Sequence, residues 1–113
     1  MTKQIINQNL INKIVEKVLS IKGVASLQNP PIKYSFTSDE LTKGIYYTHN
    51  KDTENSSLDI FINVYINARI PQIAFNMQEK VKEVLDQYDV EINKINIQIQ
   101  GIEKWKELMQ ENF

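Results

Sequence analysis

The sequence predicts one α+β domain, in which two long helices pack on one face of a small mixed β-sheet. Residues 58–66 alternate between apolar and polar side chains, residues 70–88 have the apolar spacing of a helix, and alternation returns at 95–99. A strand, a helix and a strand in this order form a β-α-β unit with two parallel strands side by side. The complete predicted order is α-β-β-β-α-β-α within a single domain, residues 1–113.

Length and composition are those of one globular domain. The chain has 113 residues, of which 42% are hydrophobic and 24% charged, and a formal net charge of −1. Duplex nucleic-acid binders usually carry a basic excess, so this charge argues against that class. The absence of cysteine excludes disulfides, a thiolate nucleophile and a Cys-based zinc site.

The sequence contains no stretch of apolar residues that would cross a membrane. A spanning helix needs roughly 18 consecutive apolar residues, and residues 1–9 also lack the apolar core of a signal peptide. We therefore expect any association with a membrane to be peripheral or through a partner, and the absence of cysteine fits a reducing cytoplasm.

A helix is predicted at the start of the chain, from about Thr2 or Ile5 to Ser20, because apolar residues recur there every three or four positions. Gly23 follows, and glycine tolerates the left-handed conformation that commonly ends helices. Residues 24–27 are a short apolar segment that predicts an edge strand.

Residues 28–43 are predicted to be a flexible connection. Pro31 restricts Pro30 to an extended conformation, so no helix crosses this point. Within the connection, Ser38 is placed to cap one helical turn, with Gly44 after it as a stop.

A hairpin is predicted next. Its first strand runs from Ile45 to about His49 and is rich in β-branched and aromatic residues. Residues 50–57 are polar and turn-prone, which predicts a flexible loop that leads into an antiparallel strand at 58–66.

The predicted strand 58–66 has two unlike sides. Burial of its aliphatic side contributes on the order of 10 kcal/mol gross, as an upper estimate, so both long helices should cover that side. The opposite side is either open to water or covered by something else. It carries Asp59, Phe61, Asn63, Tyr65 and Asn67.

The long helix and the last strand follow. Pro71 suits the first turn of the helix 70–88, where its missing N–H would have no helical partner. Apolar residues just before the strand 95–99 are out of phase with it, so a bulge or turn is expected near Asn93 and Lys94. Gly101 is predicted to end the strand, and a short helix should follow it.

No constellation of catalytic or metal-binding residues is apparent. His49 is the only histidine of the chain, and the neighbouring carboxylates Asp39 with Glu40 and Asp52 with Glu54 lie in predicted loops. Without a second histidine or a cysteine, the usual zinc and nucleophile-base sites cannot be assembled. We therefore predict no enzymatic activity, no cofactor and no metal site.

Candidate partner-binding residues lie on the polar side of strand 58–66 and in the C-terminal segment. Same-side aromatic residues on a strand can also stack unpaired bases, so binding of single-stranded RNA is the alternative to a protein contact. For the C-terminal segment, an interfacial membrane helix is the alternative to docking on the domain or on a partner. The candidates are Phe61, Asn63, Tyr65, Trp105, Met109 and Phe113.

Five segments together resemble a known family in their order and spacing. These segments, 23–27, 43–45, 58–66, 70–81 and 95–102, resemble the alkaline shock protein family, the envelope stress response proteins of low-GC Gram-positive bacteria and their relatives. Members of that family usually carry a glycine just before the long helix and another before the last strand. Here the corresponding residues are Asn67-Ala68-Arg69 and Tyr88-Asp89-Val90, which leaves the turn geometry open at both places.

The resemblance implies a small cytoplasmic protein that is not an enzyme and that a membrane-anchored partner holds at the inner face of the membrane. It offers no catalytic residues to carry over. We therefore expect a protein-interaction module that forms a homo-oligomer or binds such a partner.

Overall fold

The structure, a computed structural model, describes residues 6–31 and 38–104. Within these residues it contains two helices and a five-stranded sheet, and the predicted α+β class is confirmed. The elements in chain order are α1 (Gln8–Leu19), β1 (Val24–Leu27), β2 (Ser38–Thr42), β3 (Ile45–Asn50), β4 (Asn55–Tyr65), α2 (Ile70–Gln87) and β5 (Lys94–Glu103).

Strand β4 is the centre of the sheet. Its first half, residues 55–60, pairs antiparallel with β3, and residues 62–64 pair antiparallel with β1. On its other side β4 pairs parallel with β5 along residues 57–65. Strand β2 extends the sheet by pairing antiparallel with β3. The β4-α2-β5 segment is therefore the predicted β-α-β unit, within a mixed sheet.

Both helices pack on the side of the sheet that we call the aliphatic face, formed in β4 by Leu58, Ile60, Ile62 and Val64. The first three of these side chains have no exposed area. Burial of each large aliphatic side chain contributes roughly 1.5 to 3 kcal/mol, so this layer is the main source of stability. The helices contribute Leu10, Ile14 and Val18 from α1 and Ile73, Met77, Val81, Val84 and Leu85 from α2.

The ends of the helices follow from local chemistry. Helix α1 begins at Gln8, later than predicted, because the side chain of Asn7 caps it: Leu10 N donates to Asn7 Oδ1 at 2.8 Å. Helix α2 begins with Ile70 and Pro71 in its first turn, as predicted.

Two residues have a positive φ at the positions where members of the family that this sequence resembles usually carry glycine. Asn67, before α2, has φ 70°, and Asp89, before β5, has φ 57°. Asparagine and aspartate tolerate the left-handed region better than most other residues that carry a Cβ. The chain therefore makes left-handed turns at both places without glycine.

The helical turn predicted at Ser38 is wrong. Residues 38–42 form strand β2, in which Ser38 lies opposite Thr48 and Glu40 lies opposite Tyr46. Ser38 Oγ and Thr48 Oγ1 are hydrogen-bonded, and Tyr46 Oη donates to Glu40 Oε1 at 3.1 Å. Cross-strand pairing thus overrides the low strand propensity of Asp39 and Glu40.

Strand boundaries also differ from prediction near the hairpin and at the end of β5. Strand β4 already begins at Asn55, so the residues between β3 and β4 are only 51–54. Strand β5 continues through Gly101 to Glu103, and its register against β4 shifts by one residue between Ile99 and Gly101. The predicted C-terminal helix lies outside the described residues.

Candidate functional site

The second side of the sheet, which we call the polar face, carries the side chains that alternate with the aliphatic ones. In β4 these are Asp59, Phe61, Asn63 and Tyr65. The registers place Tyr46 of β3 opposite Asp59, Ser26 of β1 opposite Asn63, and Glu103 of β5 opposite Tyr65. Neither described helix contributes to this face, since both belong to the core cluster on the aliphatic face.

One part of the polar face is buried. Asp59 is 2% exposed, Phe61 3% and Tyr46 9%. The rings of Tyr46 and Phe61 meet edge to face, with centroids 5.6 Å apart and an interplanar angle of 85°. Asn96 Nδ2 donates to Asp59 Oδ1 at 2.8 Å, which gives the buried carboxylate a polar partner.

The hydroxyl of Tyr46 lies beside a carboxylate. Burial raises the pKa of Tyr46 above its ordinary value of 10.0, and the hydrogen bond to Glu40 and the negative charge of Glu40 raise this pKa further. The hydroxyl also lies 3.3 Å from Asn29 Oδ1. Tyr46 therefore remains protonated on the folded chain under ordinary conditions.

The other part of the polar face is a hydrogen-bonded cluster, the Asn63 cluster, formed by Ser26, Asn63 and Glu103. Ser26 Oγ donates to Glu103 Oε2 at 2.6 Å, and Asn63 Nδ2 lies 3.1 Å from Glu103 Oε2 and 3.2 Å from Ser26 Oγ. The cluster joins β1, β4 and β5. Gly101 lies opposite Asn63, where an added Cβ would come within 3.0 Å of Asn63 Oδ1.

The predicted site residues differ in where they lie. Phe61 is buried, whereas Asn63 and Tyr65 are half-buried on the polar face. Asn67 belongs to the turn before α2. The other three candidates are outside the described residues: Trp105, Met109 and Phe113.

Sequence analysis missed Glu103 as a member of the surface. Counted by strict alternation from Ile95, position 103 falls on the aliphatic face. The register shift after Ile99 moves Glu103 to the polar face, beside Ser26 and Asn63. Because a shift of one residue reverses every following side chain, alternation alone cannot place Glu103.

A depression lies at the end of β4, between Tyr65 and the first turns of α2. It has a volume of about 490 Å³, and its lining includes Lys22, Arg69, Gln72 and Asn76. The acidic Asn63 cluster is thus followed, past Tyr65, by two basic side chains. Such a mixture of hydrogen-bonding and charged groups is typical of the rim of a protein–protein interface.

Groups associated with catalysis or metal binding are sparse in the part of the chain that the structure describes. His49 Nε2 lies 3.3 Å from Glu54 Oε2 at the hairpin, and both side chains are partly exposed. Residues 6–31 and 38–104 contain no group of three or more His, Cys, Asp or Glu side chains arranged to hold a metal ion. Among these same residues, neither helix has the length and apolar composition required to cross a bilayer.

Comparison with known proteins identifies two similarities. The model of the alkaline shock protein family, described by its cell envelope-related function, matches residues 1–104. An uncharacterized protein of Streptococcus pyogenes serotype M6 is 30% identical over 109 residues, which cover 90% of this chain and 84% of that protein.

Proposed function

Because the chain belongs to the alkaline shock protein family, which has a cell envelope-related function, we propose that it is a non-enzymatic protein-interaction module of the envelope. In this proposal the chain is cytoplasmic, assembles with itself, and is recruited to the inner face of the cell membrane by a membrane-anchored protein. The observation that carries the proposal is the Asn63 cluster on the polar face.

The cluster has the properties of a contact site for a protein. Its members come from three strands, so their spacing is set by the sheet and changes little when a partner binds. Asn63 is half-buried and Glu103 is exposed, so their polar atoms are available at the surface. Preorganised polar groups of this kind supply direction and specificity to an interface.

The buried residues of the polar face lie beside the exposed ones. Phe61 is only 3% exposed and is not accessible to a partner, so we assign direct contact to Asn63, Tyr65 and Glu103. Lys22 and Arg69 extend the contact area past Tyr65.

The charge of the polar face favours a protein over RNA. Glu40 and Glu103 are acidic and exposed, and they lie on the same face as the aromatic side chains that would stack the bases. Single-strand binders combine stacking platforms with a positively charged groove that follows the backbone. Phosphates would meet carboxylates here, so saturable binding of mixed-sequence RNA is not expected in fluorescence anisotropy.

Photo-crosslinking in cells tests the proposed function. A photoreactive amino acid at Asn63 should capture one predominant protein in the membrane fraction, identifiable by mass spectrometry as having a membrane-spanning segment. The matched control carries the same amino acid at Phe75, which is 63% exposed on α2 and lies away from the polar face. Capture of the same protein from both positions, or from neither, would contradict recruitment through the polar face.

Substitution provides a second measurement. The double variant Asn63→Arg and Tyr65→Ser should lower the share of the chain that sediments with membranes, because it replaces two contact residues with an ill-fitting charge and a small side chain. Phe75→Ser, which removes an exposed aromatic ring elsewhere, should leave that share unchanged.

A further inference from the structure

Strand β5 has one edge without a partner strand within the described residues, and its Ile95 carbonyl oxygen accepts a hydrogen bond from Gln78 Nε2 at 3.1 Å. The strand is ten residues long, about 33 Å at the usual rise of a strand, and it pairs with β4 along one side. No other strand in residues 6–31 and 38–104 pairs with it. An edge of this length presents a row of backbone N–H and C=O groups to any strand that comes beside it.

The composition of β5 does not protect this edge. Between Lys94 and Glu103 the strand reads Ile-Asn-Ile-Gln-Ile-Gln-Gly-Ile, with no charged residue and no proline. Natural edge strands are usually kept from pairing by charges, prolines, bulges or short length, and of these features the interior of β5 has one, the register shift after Ile99.

The other edges of the same sheet do show such protection. Strand β2 has only five residues and includes Asp39 and Glu40. Strand β1 has four residues and is soon followed by Pro30-Pro31. The contrast sets β5 apart as the edge suited to pairing.

The aliphatic side chains of β5 are incompletely buried. Ile95, Ile97 and Ile99 are half-buried, although their partners on β4 have no exposed area. Ile102, which pairs with Val64, is 69% exposed. A strand beside β5 would cover this row of isoleucines.

The sequence of β5 is complementary to itself in antiparallel orientation. Opposite residues in an antiparallel pair share a face. If Gln98 of one copy lies opposite Gln98 of the other, Ile97 lies opposite Ile99. Beyond Gln100, the register shift already present in β5 brings Ile95 opposite Ile102.

The charges at the two ends of β5 favour a second copy of this chain as the occupant. Lys94 and Glu103 are the first and last residues of β5, and both belong to the polar face. In the same antiparallel register Lys94 of one copy would lie opposite Glu103 of the other, and two-fold symmetry would repeat this pair at the far end. A second copy therefore supplies both complementary charges at the required separation.

We propose that two copies of this chain pair through β5 in antiparallel orientation, which joins their sheets into one continuous ten-stranded sheet with all four described helices on the same side. The dimer rests on the proposed function and deepens it, because it specifies the surface through which the chain assembles with itself. It uses the edge of the sheet, including Glu103, and leaves Asn63 and Tyr65 of the polar face available to a membrane-anchored partner.

Sedimentation velocity of the full chain over a range of concentrations tests the pairing. The wild type should form a dimer, and Gln98→Lys should raise its dissociation constant about fivefold or more, because two like charges would meet at the symmetry axis. Gln98 is exposed, so the fold of one copy should tolerate the change. Gln87→Lys, at the exposed end of α2, is the matched control and should leave the dissociation constant unchanged.

Exchange of the charges at Lys94 and Glu103 is a more specific test of the β5 pairing. Lys94→Glu alone and Glu103→Lys alone should each weaken the dimer about tenfold, since both ion pairs then become like-charge pairs. The double variant should restore most of the affinity. Glu103→Lys also breaks the Asn63 cluster, so melting temperatures are measured for each variant. Rescue in the double variant cannot result from that local loss.

The outcomes separate this inference from the proposed function. A dimer that is indifferent to Gln98→Lys and to both single exchanges overturns the β5 pairing and leaves self-assembly through another surface in place. A wild type that stays monomeric at all concentrations overturns both the pairing and self-assembly. Recruitment to the membrane is decided separately by the crosslink at Asn63.

Discussion

The two faces of β4 differ in how their side chains are buried. On the aliphatic face, Leu58, Ile60 and Ile62 are fully enclosed beneath two helices that the structure describes. On the polar face, burial of Asp59 and Phe61 gives way within one strand to the half-buried Asn63 and Tyr65. One face of this strand therefore stabilises the fold. The other face presents a hydrogen-bonded surface on which burial decreases along the strand.

This difference shows why periodicity is informative for stability and much less so for function. A continuous aliphatic row has one favourable location, the interior, because its transfer from water dominates the free energy of folding. A row that mixes an acid, amides and aromatic rings has no single favourable location, because some of its side chains favour the interior and others favour water. Its arrangement depends on which neighbouring strands supply hydrogen-bond partners.

The largest expected loss of stability follows from a substitution on the aliphatic face. Ile60→Ala should lower the free energy of unfolding by about 4 kcal/mol, because the side chain has no exposed area and its removal leaves a cavity between the sheet and the helices. Urea denaturation measures the loss. Ile70→Ala, which removes the same atoms from a side chain on α2 that is 44% exposed, should change it by less than about 1 kcal/mol.

A smaller effect is expected at the buried part of the polar face. Phe61→Leu should lower the free energy of unfolding by about 1.5 kcal/mol, since it loses the edge-to-face contact with Tyr46 and part of the packed volume. Phe75→Leu is the control, because Phe75 is 63% exposed. If both substitutions had the same small effect in urea denaturation, the polar face would not contribute to stability.

The Asn63 cluster should contribute less to the free energy of unfolding than Phe61 does. Asn63→Ala should lower the free energy of unfolding by about 1 kcal/mol, because Ser26 and Glu103 lose an amide donor at a partly exposed site. Gln87→Ala, which removes an exposed amide at the end of α2, should have almost no effect on thermal unfolding. Equal losses for the two variants would mean that the cluster adds no stability of its own.

The smallest expected effect on the free energy of unfolding comes from the Tyr46 proton and is confined to alkaline pH. The pKa of Tyr46 is raised on folding above 10.0, so the folded chain holds this proton more tightly than the unfolded chain does. The resulting stability is fully present below the unfolded value and is lost as the pH rises through the folded pKa.

This pH dependence can be isolated with one substitution. Urea denaturation from about pH 9 to about pH 11 should show a downward slope that Tyr46→Phe reduces. Tyr88→Phe, at a tyrosine that is 36% exposed, is the matched control and should keep the slope. An unchanged slope in Tyr46→Phe would contradict a pKa of Tyr46 raised by burial and by Glu40.

The elements with strong periodicity were predictable in detail. Helix α2 was expected at 70–88 and occupies Ile70–Gln87, and β1 was expected at 24–27 and occupies Val24–Leu27. Strand β2 was not predicted, because Ser38-Asp39-Glu40 has the local chemistry of a cap and a turn. Only pairing with β3, which brings Glu40 to the hydroxyl of Tyr46, makes an extended conformation favourable there.

The candidate site was predictable in part. Alternation in β4 correctly grouped Phe61, Asn63 and Tyr65 on one face, but it did not reveal that Phe61 is buried or that Ser26 and Glu103 complete the surface. Burial depends on the whole layer around a side chain, whereas alternation describes only one strand.

By itself, the sequence determined the periods: which segments are helices or strands, and which side of each is apolar, because the transfer of aliphatic side chains from water acts on every segment locally. The tertiary structure alone decided register. The one-residue shift in β5, the partner of β2 and the meeting of Ser26, Asn63 and Glu103 all depend on hydrogen bonds between distant strands. Such bonds have similar free energies in several alignments, so only the combined packing of sheet and helices selects one of them.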